Sequence, residues 1–252
     1  LSGPYLHLIS SGGPISCIAD SVLDLTGIQW QLGSMTFQES HNDMRVVVRG
    51  RSGTIDVHFE ITVNGNGEIC TSFEISNLPE KFREVGVRYM LNKDMNSLSW
   101  KRDALWSVYP NDHIGRPIGT ASKLAPVTQR EDYRAKPAHP WSYDTKDFYL
   151  YGKEGRKDRN VLPVPVDFRT TKENILQYTL HVAGFQRGVR VISDGTLAAR
   201  AVVNEDGSTT LVVMKDWNYP NLRWGNYERV KKLPPLFSGE VRMQLLRRTN
   251  RK

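Results

Sequence analysis

Three consecutive runs near the middle of the first half of the chain decide the fold: Ile55-Asp-Val-His-Phe-Glu-Ile-Thr-Val63, Asn64-Gly-Asn-Gly67 and Glu68-Ile-Cys-Thr-Ser-Phe-Glu-Ile75. Apolar and polar side chains alternate in the first and third runs, which is typical of strands with one buried face. The four residues between them tolerate the positive φ of a tight turn. Residues 55–75 therefore predict a β-hairpin.

Similar alternation recurs along the rest of the chain, whereas helical periodicity is nearly absent. One or two helical turns are expected at residues 19–25. Strands joined by hairpins without intervening helices favour packed antiparallel sheets, so the predicted class is all-β, an antiparallel β-sandwich. Trp30 and Trp100 lie near strand patterns and are predicted to be core residues. The further strands are predicted at 85–91, 175–182, 189–192, 197–203, 209–214 and 241–246.

Length and composition suit one globular core. The chain has 252 residues, of which 39% are apolar, and no linker or repeat divides it, so residues 1–252 are predicted to form a single domain. No stretch approaches the roughly 20 apolar residues of a membrane span, so no membrane partner is expected. The chain opens on Leu1-Ser-Gly-Pro4 without an initiator Met or leader. We therefore expect it to be a fragment of a larger protein.

The positive charge is confined to the end of the chain. The formal charge is +7, and residues 223–252 carry nine basic and two acidic side chains. The remainder is balanced and offers no basic groove, so no nucleic-acid partner is expected. The basic tail is typical of a solvated end or a docking seam. Two cysteines, Cys17 and Cys70, exclude a disulfide framework and leave open whether they pair.

No common catalytic or cofactor motif is present. The chain has no phosphate-binding glycine loop, no nucleophile elbow and no cysteine pair at metal spacing. Its six histidines lie far apart in sequence, which gives little support to a local zinc site. We expect no cofactor, no metal and no catalytic residue in the chain itself.

Four tryptophans lie in a different context from the other two. Trp106, Trp141, Trp217 and Trp224 are surrounded by Tyr, Pro, Asn and Asp. Flat aromatic faces beside carboxylate and amide groups suit a sugar ring, whose C–H faces stack and whose hydroxyls form directional hydrogen bonds. The same residues could instead cover the end of a barrel or fill a domain seam. Carbohydrate is therefore one candidate partner.

Several short runs share their order with a known family. Together they resemble the C-terminal domain of glycoside hydrolase family 2 β-galactosidases, across most of residues 55–246. The runs are Gly67-Glu-Ile-Cys-Thr-Ser-Phe-Glu-Ile75, Val85-Gly-Val-Arg-Tyr-Met-Leu91, Trp100, Trp106-Ser-Val-Tyr-Pro-Asn-Asp-His-Ile-Gly-Arg116, Asp167-Phe-Arg-Thr-Thr-Lys-Glu-Asn-Ile175, Trp224-Gly-Asn-Tyr227 and Ser238-Gly-Glu-Val-Arg-Met-Gln-Leu245.

The resemblance implies a β-supersandwich of the galactose mutarotase-like kind. It also implies a partner, because the family's catalytic glutamates belong to a separate (β/α)8 barrel that alone needs about 250 residues. The chain would then dock on that barrel, help form the sugar pocket and be inactive alone. A Trp near the end of the family's domain reaches into the pocket, and Trp224 matches it best, with Trp217 second. By family habit the parent would be periplasmic or extracellular.

The chain also departs from the family pattern. The loop from Tyr109 to Arg116 lacks the family's Gly-Pro-x-Glu and is one residue shorter, so Asp112 or His113 would replace the Glu. The family's opening strands are not recognisable before Gly3, so the fragment is either cut within the domain or begins differently. The predicted substrate-binding residues are Trp224, Trp217, Trp106, His113 and Asp112.

Two other functions fit the same residues. One is a free-standing mutarotase-like epimerase, in which His113 or His181 would donate a proton and Glu173 or Asp167 would accept one. The other is a carbohydrate-binding module with no chemistry of its own. A central cleft that holds such a His and carboxylate would favour the first of these.

Overall fold

A computed structural model describes residues 1–11, 22–24, 30–78, 82–104, 117–123, 172–185, 187–204, 206–217 and 233–247. These ranges contain strands and turns, and none of them forms a helix long and apolar enough to cross a membrane. The strands in chain order are β1 Ser2–Ser11, β2 Val22–Asp24, β3 Trp30–Glu39, β4 Asp43–Ser52, β5 Ile55–Asn64, β6 Glu68–Ser76, β7 Phe82–Leu91, β8 Ser97–Arg102, β9 Ile118–Ser122, β10 Ile175–His181, β11 Gly188–Ile192, β12 Ala198–Val203, β13 Thr209–Trp217 and β14 Leu236–Leu246.

The strands form two antiparallel sheets. The smaller has the order β12-β13-β7-β1-β2, and the larger has the order β3-β4-β5-β6-β14-β11-β10-β8-β9. A single core cluster contains Leu8 and Val87 from the smaller sheet and Phe73 and Leu180 from the larger. The predicted all-β class, an antiparallel β-sandwich, is therefore confirmed.

The predicted hairpin is formed by β5 and β6, which pair from Asp56 opposite Ser76 to Val63 opposite Ile69. Its turn is closed by Asn64, whose side-chain oxygen accepts hydrogen bonds from the backbone N–H groups of Asn66 and Glu68 at 3.0 Å each. Gly67 has a φ of 82°, a conformation that favours glycine. Residues 64–67 thus form the tight turn that the sequence predicts.

The other predicted strands correspond to β7, β10, β11, β12, β13 and β14, with boundaries that differ by a few residues. The helical turns predicted at 19–25 are wrong where the structure describes them, because Val22–Asp24 pairs with β1 instead. Strand pairing in three dimensions overrides a weak local preference for helix. Strands β1, β3, β4, β8 and β9 are not among the ranges predicted from the pattern.

The two sheets differ in how their faces are covered. In β12 and β13 both alternating sets of side chains are buried: Ala199 and Val213 lie in the main core, whereas Ala198 and Val212 lie in a second cluster on the opposite face. The outer face of the larger sheet is instead exposed and polar, with ion pairs such as Arg45 with Glu60. The second face of the smaller sheet is therefore a buried layer of its own.

At its β3–β4 side the larger sheet exposes residues of its inner, apolar face. Five of them form a surface that we call the apolar edge: Trp30, Leu32, Met35, Phe37 and Met44, with exposed fractions from 37% to 61%. Trp30, predicted as core, is thus partly exposed, whereas Trp100 is buried as predicted. The difference follows from strand order, since β3 lies at an edge and β8 does not.

A β-bulge near the end of β13 sets the direction of its last side chain. The register with β7 runs from Met214 opposite Gly86 to Asp216 opposite Val85, which leaves Lys215 without an opposite residue. Trp217 then lies opposite Glu84. A bulge of this kind re-aims the side chains that follow it.

Candidate functional site

The predicted site residues fall into two groups. Trp224, Trp106, His113 and Asp112 lie outside the described residues. Trp217 is described and is the last residue of β13. The structure can therefore place one predicted contact residue directly, together with the described residues that flank the segments carrying the other four.

Trp217 is half-buried on the second face of the smaller sheet. Its ring packs against the cluster of Ala198, Val212 and Met214, and its indole Nε1 donates a hydrogen bond to Oε1 of Glu173 at 3.1 Å. The indole is thus anchored at both its apolar face and its N–H group. An aromatic side chain fixed in this way is a suitable support for a stacked ring.

The segments that carry the other predicted residues begin or end beside Trp217. The backbone N–H of Arg102 donates to the carbonyl of Pro117 at 2.8 Å, and the N–H of Asp103 donates to the carbonyl of Asn174 at 2.8 Å. Glu173, next to Asn174, is the partner of Trp217. Both flanks of residues 105–116, the C-terminal flank of residues 124–171 and the N-terminal flank of residues 218–232 therefore meet at one place, which we call the Trp217 end.

A buried ionic cluster lies on the same sheet face as Trp217. Arg200 of β12 donates two hydrogen bonds to Glu84 of β7, from Nη1 to Oε1 at 2.9 Å and from Nη2 to Oε2 at 2.5 Å. Nε2 of His7 in β1 lies 2.7 Å from Oε2 of the same carboxylate. The side chains of Glu84 and Arg200 are each 1% exposed. Three strands are thus joined by one carboxylate.

The electrostatics of this cluster determine its chemistry. Burial alone would raise the pKa of Glu84, but the charge of Arg200 and the hydrogen bond from His7 outweigh it and lower the pKa to about 2. Because an ionised carboxylate only accepts hydrogen bonds, Nε2 of His7 carries the proton between them. Both oxygens of Glu84 are already occupied by these donors. Glu84 is therefore a structural anion and a poor general base at neutral pH.

A second group of charges links the two sheets at the Trp217 end. The backbone of Lys172 exchanges hydrogen bonds with that of Ala199 at 2.9 and 3.0 Å, and its Nζ lies 4.5 Å from the ring centroid of Trp100. Burial lowers the pKa of Arg102, while the neighbouring charge of Glu173 partly opposes that shift. The Trp217 end thus combines aromatic rings with buried or half-buried charges.

His181 and Glu173, the described candidates for the acid–base pair of an epimerase, do not lie close together. His181 is the last residue of β10, and Glu173 precedes its first residue, Ile175. The strand between them spans roughly 20 Å, which is far beyond hydrogen-bond reach. Burial, followed by the charge of Arg190, lowers the pKa of His181. The other two candidates, His113 and Asp167, lie outside the described residues.

Sequence reasoning missed the Glu84 cluster. Its members are 77 and 116 residues apart, and a lone Glu on an alternating strand is normally read as solvent-exposed. One signal was present, because residues 198–203 and 211–214 are apolar at nearly every position, which is typical of strands buried on both faces. Arg200 within such a run implies a buried partner of opposite charge.

No group of three or more His, Cys, Asp or Glu side chains in the described part of the chain is arranged to hold a metal ion. The charged residues at the Trp217 end pair with one another or with aromatic rings instead.

Comparison of the sequence with protein-family models gives no match, and comparison with curated proteins gives none either. Among solved structures, the chain is similar to an alpha-mannosidase from Enterococcus faecalis V583, with 12% identity and a TM-score of 0.46 over 95% of this chain. It is also similar to a putative aldose 1-epimerase from Escherichia coli K12, with 12% identity and a TM-score of 0.35 over 86% of this chain. The match covers 68% of the epimerase but only a quarter of the mannosidase chain.

Proposed function

We propose that the chain is a non-catalytic accessory domain of a glycoside hydrolase, and that its Trp217 end forms one wall of a sugar pocket. The pocket would be completed by a catalytic (β/α)8 barrel of the same parent protein. The resemblance to family 2 β-galactosidases suggests the parent's class and a periplasmic or extracellular location.

The observation that carries the proposal is the convergence of chain segments at the Trp217 end. Trp217 is held there by Glu173, and the segment that contains Trp106 starts from the neighbouring Ala104. Trp106 follows Ala104 by two residues in the sequence. This proximity in sequence supports the assignment of both tryptophans to one wall of the pocket.

The state of Glu84 supports the absence of glycosidase chemistry on this face. Retaining hydrolysis needs two carboxyl groups about 5 Å apart, one of which must hold a proton at working pH. Glu84 has a pKa of about 2, and both of its oxygens are bound by Arg200 and His7. Glu84 is therefore unsuited to act as that acid, and in our proposal the catalytic acid comes from the partner.

The decisive experiment uses the full-length parent. Trp224→Ala and Trp217→Ala should each lower kcat/KM by about tenfold, the effect of losing one aromatic contact worth about 1.4 kcal/mol. Trp30→Ala, on the apolar edge, is the control and should leave the kinetics unchanged. Circular dichroism would check that each variant is folded. Unchanged kinetics in both Trp224→Ala and Trp217→Ala would show that the Trp217 end is not part of the sugar pocket.

A second experiment separates the accessory domain from a self-sufficient binding module. The 252-residue chain would be titrated with galactose and β-galactosides while tryptophan fluorescence is followed. An incomplete pocket should bind weakly, with no saturation below millimolar sugar. Saturation at micromolar sugar would favour the module and contradict our proposal.

A further inference from the structure

We propose that a cavity between the two sheets binds a small, neutral, apolar molecule through a single hydroxyl group. This site lies on the main-core side of the smaller sheet, whereas the Trp217 end lies on its opposite face. The inference does not depend on the proposed function.

The cavity occupies the space where β1 and β7 face β3 to β6. Its volume is about 450 Å³, within the usual range of small-molecule sites. Most of its lining is apolar and comes from both sheets, including Leu6, Val46, Phe59, Ile61 and Ile69. A cavity lined in this way favours a hydrocarbon or aromatic body over water.

Four lining residues carry hydroxyl groups, namely Tyr5, Ser52, Thr71 and Tyr89, and two of these groups, those of Thr71 and Tyr89, are buried without a hydrogen-bond partner. Tyr89 and Thr71 both line the cavity, and they are 1% and 0% exposed. Neither Oη of Tyr89 nor Oγ1 of Thr71 has a hydrogen-bond partner of acceptable geometry among the described residues. Burial raises the pKa of Tyr89. The Thr71 hydroxyl lies close enough to oppose that rise in part, although the contact between the two hydroxyls does not have the geometry of a hydrogen bond. Buried polar groups without partners are rare in proteins and indicate a missing one.

The chemistry of the pair defines the ligand group. Each hydroxyl can donate one hydrogen bond and accept others, so one hydroxyl on a ligand could donate to one of them and accept from the other. A charged group would be costly to bury in such a lining. Arg88 also borders the cavity, but it alternates with Tyr89 along β7 and so belongs to the opposite face of the sheet.

The cavity is accessible from solvent beside the apolar edge. Trp30, Met35 and Met44 line the cavity and are 37%, 48% and 42% exposed. Tyr5 of β1 is likewise a lining residue and is 42% exposed. A small molecule can therefore enter the cavity from this side, and contact with the two covered hydroxyls then requires only local movement of the lining side chains.

The test compares two probes of the same shape, 2-naphthol and naphthalene. Both would be titrated against the 252-residue chain while the fluorescence of the probe is followed. Both should bind, and 2-naphthol should bind about fivefold to tenfold more tightly, as one additional hydrogen bond predicts. In Tyr89→Phe and Thr71→Val that ratio should fall to about two or less, and in the double variant to about one.

Tyr178→Phe is the matched control, because Tyr178 is a buried tyrosine that does not line the cavity; its probe ratio should equal that of the wild type. Thermal unfolding checks the fold, and Tyr89→Phe should unfold no earlier than the wild type since it loses an unpartnered hydroxyl.

Failure of folded wild-type protein to bind either probe would overturn the proposal. So would a probe ratio that Tyr89→Phe and Thr71→Val leave unchanged. Light scattering is included because a dimer that closes the cavity and excludes both probes would identify a second copy of the chain as the occupant, which also overturns it.

Discussion

The Trp217 end and the apolar edge reverse the usual relation between polarity and burial. At the Trp217 end, Glu84 and Arg200 are almost completely buried. At the apolar edge, Phe37 and Leu32 are more than half exposed. The Trp217 end meets the larger sheet at β8, whereas the apolar edge lies on β3 and β4. Strands β3 and β8 are seven strand spacings apart in the strand order, roughly 34 Å along the sheet.

This contrast separates what holds the domain together from what it can offer to other molecules. A buried ion pair joined by two hydrogen bonds, as between Arg200 and Glu84, is costly to break, since one change leaves the other charge alone in the interior. An exposed apolar side chain contributes little to folding but favours association. Substitutions at the two regions should therefore differ in size and in the property that they change.

The largest effect is expected from Glu84→Gln. The substitution leaves the buried guanidinium of Arg200 without its counter-charge and should lower the free energy of unfolding by about 3–5 kcal/mol. Urea denaturation followed by circular dichroism measures the loss. Glu74→Gln, on the exposed outer face of β6, is the control and should change stability by less than about 1 kcal/mol. A decrease in the free energy of unfolding below about 1 kcal/mol for Glu84→Gln would show that the buried ionic cluster stabilises the fold no more than an exposed charge does.

The pH dependence of stability should report the same cluster. The pKa of Glu84 is about 2 in the folded chain against 4.5 ordinarily, so the folded state resists protonation. Its contribution is complete above about pH 4.5 and is lost as the pH falls towards 2, by roughly 3 kcal/mol in all. Urea denaturation at pH 5.5 and pH 3 would measure the greater part of this loss, about 2 kcal/mol. Glu84→Gln should lack that component, and an identical pH dependence in both proteins would refute the assignment.

A smaller effect is expected from Trp217→Phe. The variant keeps an aromatic ring but loses the hydrogen bond to Glu173, so it should unfold about 1 kcal/mol more easily. Trp30→Phe makes the same change at the apolar edge, where no indole hydrogen bond is formed with the described residues, and should cost less than about 0.5 kcal/mol. Equal costs for the two variants in chemical denaturation would show that the Glu173 bond contributes little.

The smallest change in stability is expected from Phe37→Ser. Its side chain is 61% exposed, so the free energy of unfolding should change by less than about 0.5 kcal/mol. Self-association should decrease, because the variant removes a large apolar group from an edge strand. Sedimentation velocity at several protein concentrations measures association. A marked loss of stability without any change in association would show that this edge is part of the core.

The sequence predicts strands well where one face is buried and poorly elsewhere. The hairpin of β5 and β6 was predicted because its alternation and turn residues are local features. In contrast, the alternation in β3 is interrupted, because a bulge between Leu32 and Ser34 shifts the apolar positions from Trp30 and Leu32 to Met35 and Phe37. Gly3 and Pro4 in β1 and Gly33 in β3 further weaken the alternation of apolar and polar residues.

The candidate site was predicted in part, for a similar reason. Trp217 was identified from its neighbours in sequence, which are local. The pairing of Glu84 with His7 and Arg200 depends on the order of strands in the smaller sheet, and a single sequence does not specify that order. The direction of the Trp217 side chain depends on the bulge at Lys215. No residue type in residues 211–217 indicates that a bulge occurs there.

That bulge makes the placement of Trp217 tolerant of a change in the length of β13. Because side chains alternate along a strand, a regular ladder that kept Lys215 in register would turn Trp217 away from Met214 and towards the space between the sheets. Removal of Lys215, the unpaired residue, would instead restore regular pairing and leave Trp217 opposite Glu84. Relatives with or without this one residue would therefore present the indole on the same face.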